Sequence, residues 1–299
     1  MKKISIIILV LLCGMMVAAQ HYVGIGAGIG MPLQMDNLEV TTAKVGVGGN
    51  LNMSYMFRRQ HFLFTMKIGV GYDNLCQAID EEELSAEMID TRGIRFTYLG
   101  QLRNRKDAIH RLEVEVPLMV GAEFSQFYFL VGPLFSMPVL CTTHQTALLM
   151  TKGDYQGRYY DYVEDMPNHG YHNFEPTQTR GKVSQKIDIR LCAELGYTLD
   201  LAGTGRWLSH KLNIGVFAHY GLMNVCQTNG MKLTELSVDK YMTVKMNNIY
   251  ASNMAYNCKL HNLSAGLRIS YLIPFAGSAS SSQYSSHRRF YKYKCHCVR

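Results

Sequence analysis

Apart from its first residues, the 299-residue chain has no run of about 18 consecutive apolar residues, which excludes a membrane-spanning helix in the rest of it. It has a single Trp, only 7 Pro and only 18% charged residues, yet 47% of it is hydrophobic, too apolar for a disordered chain. The first 19 residues and the 13 from His287 onward carry no acid at all. Lys2, Lys3, Arg288, Arg289, Lys292, Lys294 and Arg299 therefore account for the whole net charge of +7. Between those ends, basic and acidic residues are equal in number. A basic balance confined to the termini argues against a nucleic-acid-binding body. There is no C-x-x-C pair, so zinc-ribbon chemistry is not expected.

Residues 1–20, MKKISIIILVLLCGMMVAAQ, place two lysines before an apolar run from Ile4 to Val17 and then Val17-Ala18-Ala19. That order predicts a secretory signal peptide over 1–19, cleaved after Ala19. Cys13 follows Leu11-Leu12 rather than a small residue, so lipid attachment there is not expected. Export leaves an odd set of cysteines, Cys76, Cys141, Cys192, Cys226, Cys258, Cys295 and Cys297, whose pairing the sequence leaves open.

From residue 21 the chain alternates with period two. In 44–57 the odd positions include Val45, Val47, Leu51 and Met53; in 62–73 the even ones are Phe62, Phe64, Met66, Ile68, Val70 and Tyr72. The pattern recurs in 111–124 and 186–199, and more softly in 21–34, 127–141, 211–225 and 260–275, giving eight strands. Each runs for about a dozen residues or more, enough for the 9–11 or so of a tilted spanning strand and well past the 5–6 or so of most strands. Connections alternate between short (58–61, 125–126, about 202–210) and long (about 35–43, 74–107, 142–182, 226–258). Aromatic residues gather at the short-turn ends: Phe57, Phe62, Phe64, Phe124, Phe127, Phe129, Tyr197, Trp207 and Phe275. Together these features predict an all-β, eight-stranded, antiparallel up-and-down transmembrane barrel over 20–275. Its apolar face would point out into lipid, both termini would lie in the periplasm, and 276–299 would form a flexible basic tail.

The stretch Leu112-Glu-Val-Glu-Val-Pro-Leu-Met-Val-Gly121, followed by Phe127-Tyr-Phe-Leu-Val-Gly-Pro133, resembles the outer-membrane β-barrel domain of the Bacteroides group, including PorT-like proteins, and small OmpA- or OmpX-type barrels. The resemblance implies a fold and a bacterial outer-membrane location, with roles that differ among members. The tail beyond Phe275 departs from barrels of this kind, which often end in an aromatic residue.

The charges expected inside are Lys67, Asp73, Arg111, Glu113, Glu115, Glu123, Lys186, Asp188, Arg190, Glu194 and Arg268. They read as a neutralising network that fills a narrow barrel, with a proton path or a Glu113/Glu115 acid–base pair as the competing reading. Ser209-His210 falls in a short turn, and His261 and Ser264 have opposite parity, so no hydrolytic triad is legible. Cys295-His296-Cys297 lacks structural-zinc spacing, and Arg288–Lys294, after the Ser278–Ser286 linker, suits anionic headgroups or cell wall. Cys226 and Cys258 bracket the last long loop. Continued strand parity would put them on opposite faces, so a bond between them would need a bulge.

No catalytic, cofactor-binding or metal-binding residue is expected, and no nucleic-acid partner. The expected partners are lipopolysaccharide and phospholipid around a monomeric barrel, with protein or glycan contacts at the external loops. The 142–182 connection is the candidate contact, with Tyr155, Tyr159, Tyr160, Tyr162, Tyr171, His169, His172 and Phe174 among Asp154, Asp161, Glu164 and Asp165. The leading role is thus a structural or surface-interaction barrel and not a general porin. The alternatives are an outer-membrane enzyme acting on lipid A or peptides, or an accessory part of a secretion machinery.

Overall fold

The computed structural model describes residues 20–89, 93–154, 174–201, 209–226, 232–237, 243–251 and 258–274. In chain order the described strands are β1 (Gln20–Met35), β2 (Thr41–Arg59), β3 (Phe62–Ile79), β4 (Glu82–Ile89), β5 (Arg95–Phe124), β6 (Phe127–Asp154), β7 (Glu175–Lys182), β8 (Asp188–Leu201), β9 (His210–Gly221), β10 (Thr234–Ser237), β11 (Thr243–Met246) and β12 (His261–Pro274). Eight of them close a ring, β1-β2-β3-β5-β6-β8-β9-β12, every pair antiparallel. The seam pairs β1 with β12, from Tyr22↔Pro274 to Met35↔His261.

The alternating faces fall as the period-two pattern requires. Val45, Val47, Leu51 and Met53 on β2 and Met66, Ile68 and Val70 on β3 point outward and are exposed. So are Leu191 and Leu195 on β8 and Leu267 and Ile269 on β12. Their neighbours in sequence, Ser54, Lys67, Arg190, Glu194 and Arg268, point inward and are buried. Two-residue turns at Gln60-His61 and Ser125-Gln126 join β2 to β3 and β5 to β6, with Gln60 and Ser125 at φ 53° and 59°. At this turn end the outward aromatics form ring pairs: Phe57 edge-on to Phe62, Phe127 edge-on to Tyr197, and His21 and His210 stacked on Tyr55 and Tyr271.

The opposite end departs from the expected loops. Much of 74–107 and 142–182 is strand. β5 and β6 stay paired from Phe124↔Phe127 up to Thr97↔Asp154, with β4 added on β5 and β7 on β6. At about 3.4 Å per residue, the 30 residues of β5 run about 100 Å. The 12 residues of β9 and 14 of β12 stop far lower, so one wall of the ring stands tall. A bulge at Arg103/Lys106, with Asn104 at φ 51°, exchanges the inward and outward sets of β5; a second lies at Leu112/Glu113.

The expected signal segment 1–19, Trp207, Phe275, the tail 276–299 with Cys295 and Cys297, and the aromatic run from Tyr155 to His172 lie outside the described residues.

Candidate functional site

The barrel interior and its mouth hold the polar groups that could carry function, and the strands dictate their placement. Odd positions of lower β5 and even positions of β8 face the lumen, bringing Glu113 beneath the Arg190 guanidinium. Arg190 donates from Nη1 to Glu113 Oε1 at 2.7 Å and from Nη2 to Oε2 at 2.6 Å, a bidentate pair. Ser136 Oγ donates to the same carboxylate at 2.7 Å, and Arg111 Nε lies 3.0 Å from it. Arg190 also reaches Asp188 at 2.8 Å and Glu115 at 3.5 Å, and Arg111 reaches Asp73 at 2.5 Å.

A second cluster centres on Glu194, which takes Lys67 Nζ at 2.7 Å, Arg268 Nη1 at 2.8 Å and the Tyr128 hydroxyl at 2.9 Å. Tyr128 crosses Gly196 and Gly215 to get there. A Cβ at either would sit within 2.7 Å of its hydroxyl and of a neighbouring carbonyl, so both positions need glycine. Arg268 lies over the Phe217 ring at 4.5 Å. Toward the turn end, Glu123 pairs with Arg58 at 3.2 Å, and Lys211 with Asp200 at 3.0 Å.

Of the charges expected inside, ten are placed there; Lys186 is the exception. It is exposed, because β8 begins at Asp188 and the preceding residues are not in the ring. Beside the ion pairs, toward the turn end, the lumen also holds an apolar cluster that the alternation did not reveal. Met56, Leu63, Met119, Leu130, Leu134 and Leu272 are apolar on what is otherwise the polar parity. The remaining space among the charges is a pocket of about 20 Å³, the size of one water, against the glycines of β1, β2 and β3.

The mouth is capped. Residues 222–226, 232–237 and 243–251, together with 258–260, fold over it. Val225, Cys226, Leu233, Ile249, Tyr250, Cys258 and Leu260 pack on Leu75, Ile79, Ile109 and Cys141 of the wall. The β10–β11 hairpin leans on the tall wall, Val244 and Met246 against Leu102 and Ala147. Arg105, fully buried and missed by the sequence reading, pins it by donating to the carbonyls of Leu233 and Asn247 and to Thr234 Oγ1. Asp107 faces the same guanidinium at 3.3 Å and accepts from Gln145. Gln34 donates to the Tyr250 hydroxyl at 2.5 Å, and burial pushes that phenol's pKa up.

Cys226 and Cys258 meet inside this cap, their side chains hydrogen-bonded, and that bond with burial raises the Cys258 thiol. The expected parity conflict does not arise, because β9 ends at Gly221 and β12 starts at His261, so neither cysteine is in a strand.

No nucleophile–base arrangement forms at the positions weighed from sequence. His210 bonds the Tyr271 hydroxyl, and His261 bonds the Gly221 carbonyl and stacks on Tyr220. Among the described residues there is no group of three His, Cys, Asp or Glu side chains set to hold a metal. Phe174, the described end of the aromatic run, lies under Arg103 at 4.6 Å.

No family model matches the chain, and no curated protein matches its sequence. Among solved structures, it is similar to Ail, the attachment invasion locus protein of Yersinia pestis, solved in complex with the heparin analogue sucrose octasulfate. The two are 10% identical, with 83% of this chain and 99% of that one covered and a TM-score of 0.25. Neisserial surface protein A is 11% identical, with 84% and 97% covered and a TM-score of 0.24. The outer membrane protease OmpT from Escherichia coli is 7% identical, with 86% and 97% covered and a TM-score of 0.29. At these scores the ring rests on its own strand pairing and not on the likeness.

Proposed function

We propose that the chain is an integral barrel of the bacterial outer membrane, of structural or surface-interaction type, that presents its tall sheet and capped mouth to the exterior. The observation that carries this is the inversion of inside and outside. A closed ring exposes a continuous belt of Val, Leu, Ile, Met and Phe while burying Lys67, Arg111, Glu113, Arg190, Glu194 and Arg268. In water such a belt far exceeds the apolar patches a soluble monomer tolerates; against hydrocarbon it is the favoured surface. Closure satisfies the backbone where no water can, and the His–Tyr and Phe ring pairs at the turn end suit a headgroup boundary.

The filled lumen argues against a general porin. Charge pairs and an apolar cluster occupy its length and the cap closes its mouth, so we assign no solute path. We also assign no enzymatic activity. The surface left for function is external: the outer face of β5, β6 and β7, the cap, and the connection between β6 and β7.

The test is to express the full chain and fractionate the cells. The expected result is a mature N-terminus at Gln20, recovery with the outer membrane, and a gel mobility that changes on boiling. Recovery as a soluble periplasmic protein overturns the reading.

A further inference from the structure

Resting on that membrane reading, the register of the tall wall marks out a specific lipid contact. Just above the apolar belt, three rows of outward side chains cross the sheet. The lowest joins Val47, Asn74, His110, Thr142 and Lys182. The next joins Lys44, Cys76, Ala108, His144 and Arg180, and the third Thr42, Ala78, Lys106, Thr146 and Gln178. None of these positions is acidic. Lys44, Lys106, Arg180 and Lys182 are exposed, and among the described residues none of the four enters an ion pair.

The rows lie about 7 Å apart and the strands about 4.8 Å, so Lys106, His144, Arg180 and Lys182 share one small field. Small residues floor it, leaving open clefts of about 570 and 650 Å³ beside His110, His144, Arg180 and Lys182 and beside Lys106, Thr146 and Gln178. The row beneath is apolar, Tyr72, Leu112 and Leu140. On the opposite wall, Tyr220, Leu222, Met223 and Met35 carry apolar surface to the rim.

We infer that this face binds the phosphate groups of an anionic glycolipid of the outer leaflet, the lipid A type. Its acyl chains lie on Leu112 and Leu140, and its phosphates meet Lys106, Arg180 and Lys182. The continuity of cationic field and apolar belt selects a lipid over a soluble anion. A ligand with both parts gains apolar burial and charge neutralisation together, whereas free phosphate gains only the second.

The experiment uses the full-length mature protein in phosphatidylcholine vesicles doped with diphosphorylated lipid A or with the same lipid after phosphatase treatment. Retained lipid is counted by native mass spectrometry. Loss of three basic groups, in Lys106→Gln/Arg180→Gln/Lys182→Gln, is expected to weaken phosphorylated-lipid retention on the order of a hundredfold. The dephosphorylated lipid should bind wild type as weakly as the variant binds the phosphorylated one. Glu83→Gln/Glu87→Gln, on the neighbouring β4, should leave retention unchanged. The single variants Arg180→Gln and Lys182→Gln, both exposed on β7, give the same direction should the triple variant misfold. Equal retention of the two lipids, an unaffected triple variant, or displacement by millimolar inorganic phosphate overturns the inference. Wild type that inserts in plain phosphatidylcholine without preferring phosphate defeats this inference alone; failure to insert at all defeats the membrane reading beneath it.

Discussion

Replacing Glu113 by Gln tests whether the lumen is a dry, mutually neutralised core. Glu113 is 1% exposed and faces Arg190 at 2.6 and 2.7 Å and Arg111 at 3.0 Å. The amide keeps the shape but removes the charge that opposes two buried guanidiniums. Removing one partner of a buried ion pair costs about 3–5 kcal/mol. Arg190 retains Asp188 and Glu115, and Arg111 retains Asp73, while repulsion among those carboxylates eases. The expected loss therefore falls at the low end, about 3 kcal/mol. The control is Glu81→Gln, whose pair with Arg103 spans 3.2 Å with side chains 42% and 58% exposed. That pair contributes less than about 1 kcal/mol. Urea unfolding of the refolded barrel in micelles, followed by far-UV circular dichroism and by gel mobility, gives both values. Glu113→Met with Arg190→Met should not recover the loss, since Asp188 and Glu115 would then lack the guanidinium that faces them. A Glu113→Gln cost no larger than that of Glu81→Gln would falsify the dry-core account and indicate a hydrated, screened lumen.

Planar-bilayer recordings should show little or no current from the wild type. Replacing 227–257 with a short Gly/Ser bridge should leave the current low, because the ion pairs and the apolar cluster still fill the lumen; large stable channels would show that the cap alone seals it. Ile249→Ala, at a side chain 0% exposed in the cap, should lower stability by about 2–5 kcal/mol in the same urea assay, and an unchanged midpoint would mean the cap is not part of the cooperative unit. Oxidative refolding with oxidised glutathione as the electron acceptor should join Cys226 to Cys258, adding about 3.5 kcal/mol through the closed loop. Peptide mapping that finds both as thiols after such treatment contradicts this. Gly196→Val should fail to refold or refold to a barrel lacking the Tyr128–Glu194 bond, since its Cβ would meet the Ile214 carbonyl at 2.5 Å.

The strands and their faces were legible because Val45, Val47, Leu51 and Met53 alternate with Gly46, Gly48, Asn50 and Asn52, leaving only which face met solvent to decide. Above the apolar belt that contrast ends. Thr142, Thr143, His144, Gln145 and Thr146 are polar on both parities, so their pairing with β5 and β7 left no periodic trace. Arg105 and Asp107 were hidden with them, although they continue the inward odd parity of Ile109, Arg111 and Glu113, because 74–107 read as a loop; the bulge beside Asn104 changes parity only above them. The interior network was largely readable because its members share parity with glycines on strands of clear period. Met56, Leu63 and Met119 were not, being apolar residues on a polar face. The Cys226–Cys258 contact was lost to an assumption that β9 and β12 continue through their ends.

The β1–β12 seam has a consequence for the order of events in assembly. The strand that completes the ring is the last to be made, and its partner is nearly the first, from Tyr22 opposite Pro274 to Met35 opposite His261. Until synthesis passes residue 274, β1 has an unfilled edge and the sheet cannot close. Such distant pairing is slow, because a long chain must be brought round before any contact rewards it. A sheet formed without β12 therefore keeps two unpaired edges, which hydrocarbon does not tolerate. Completion is an all-or-none event timed by the carboxy-terminal strand, and a chain truncated before His261 has no closed form to reach.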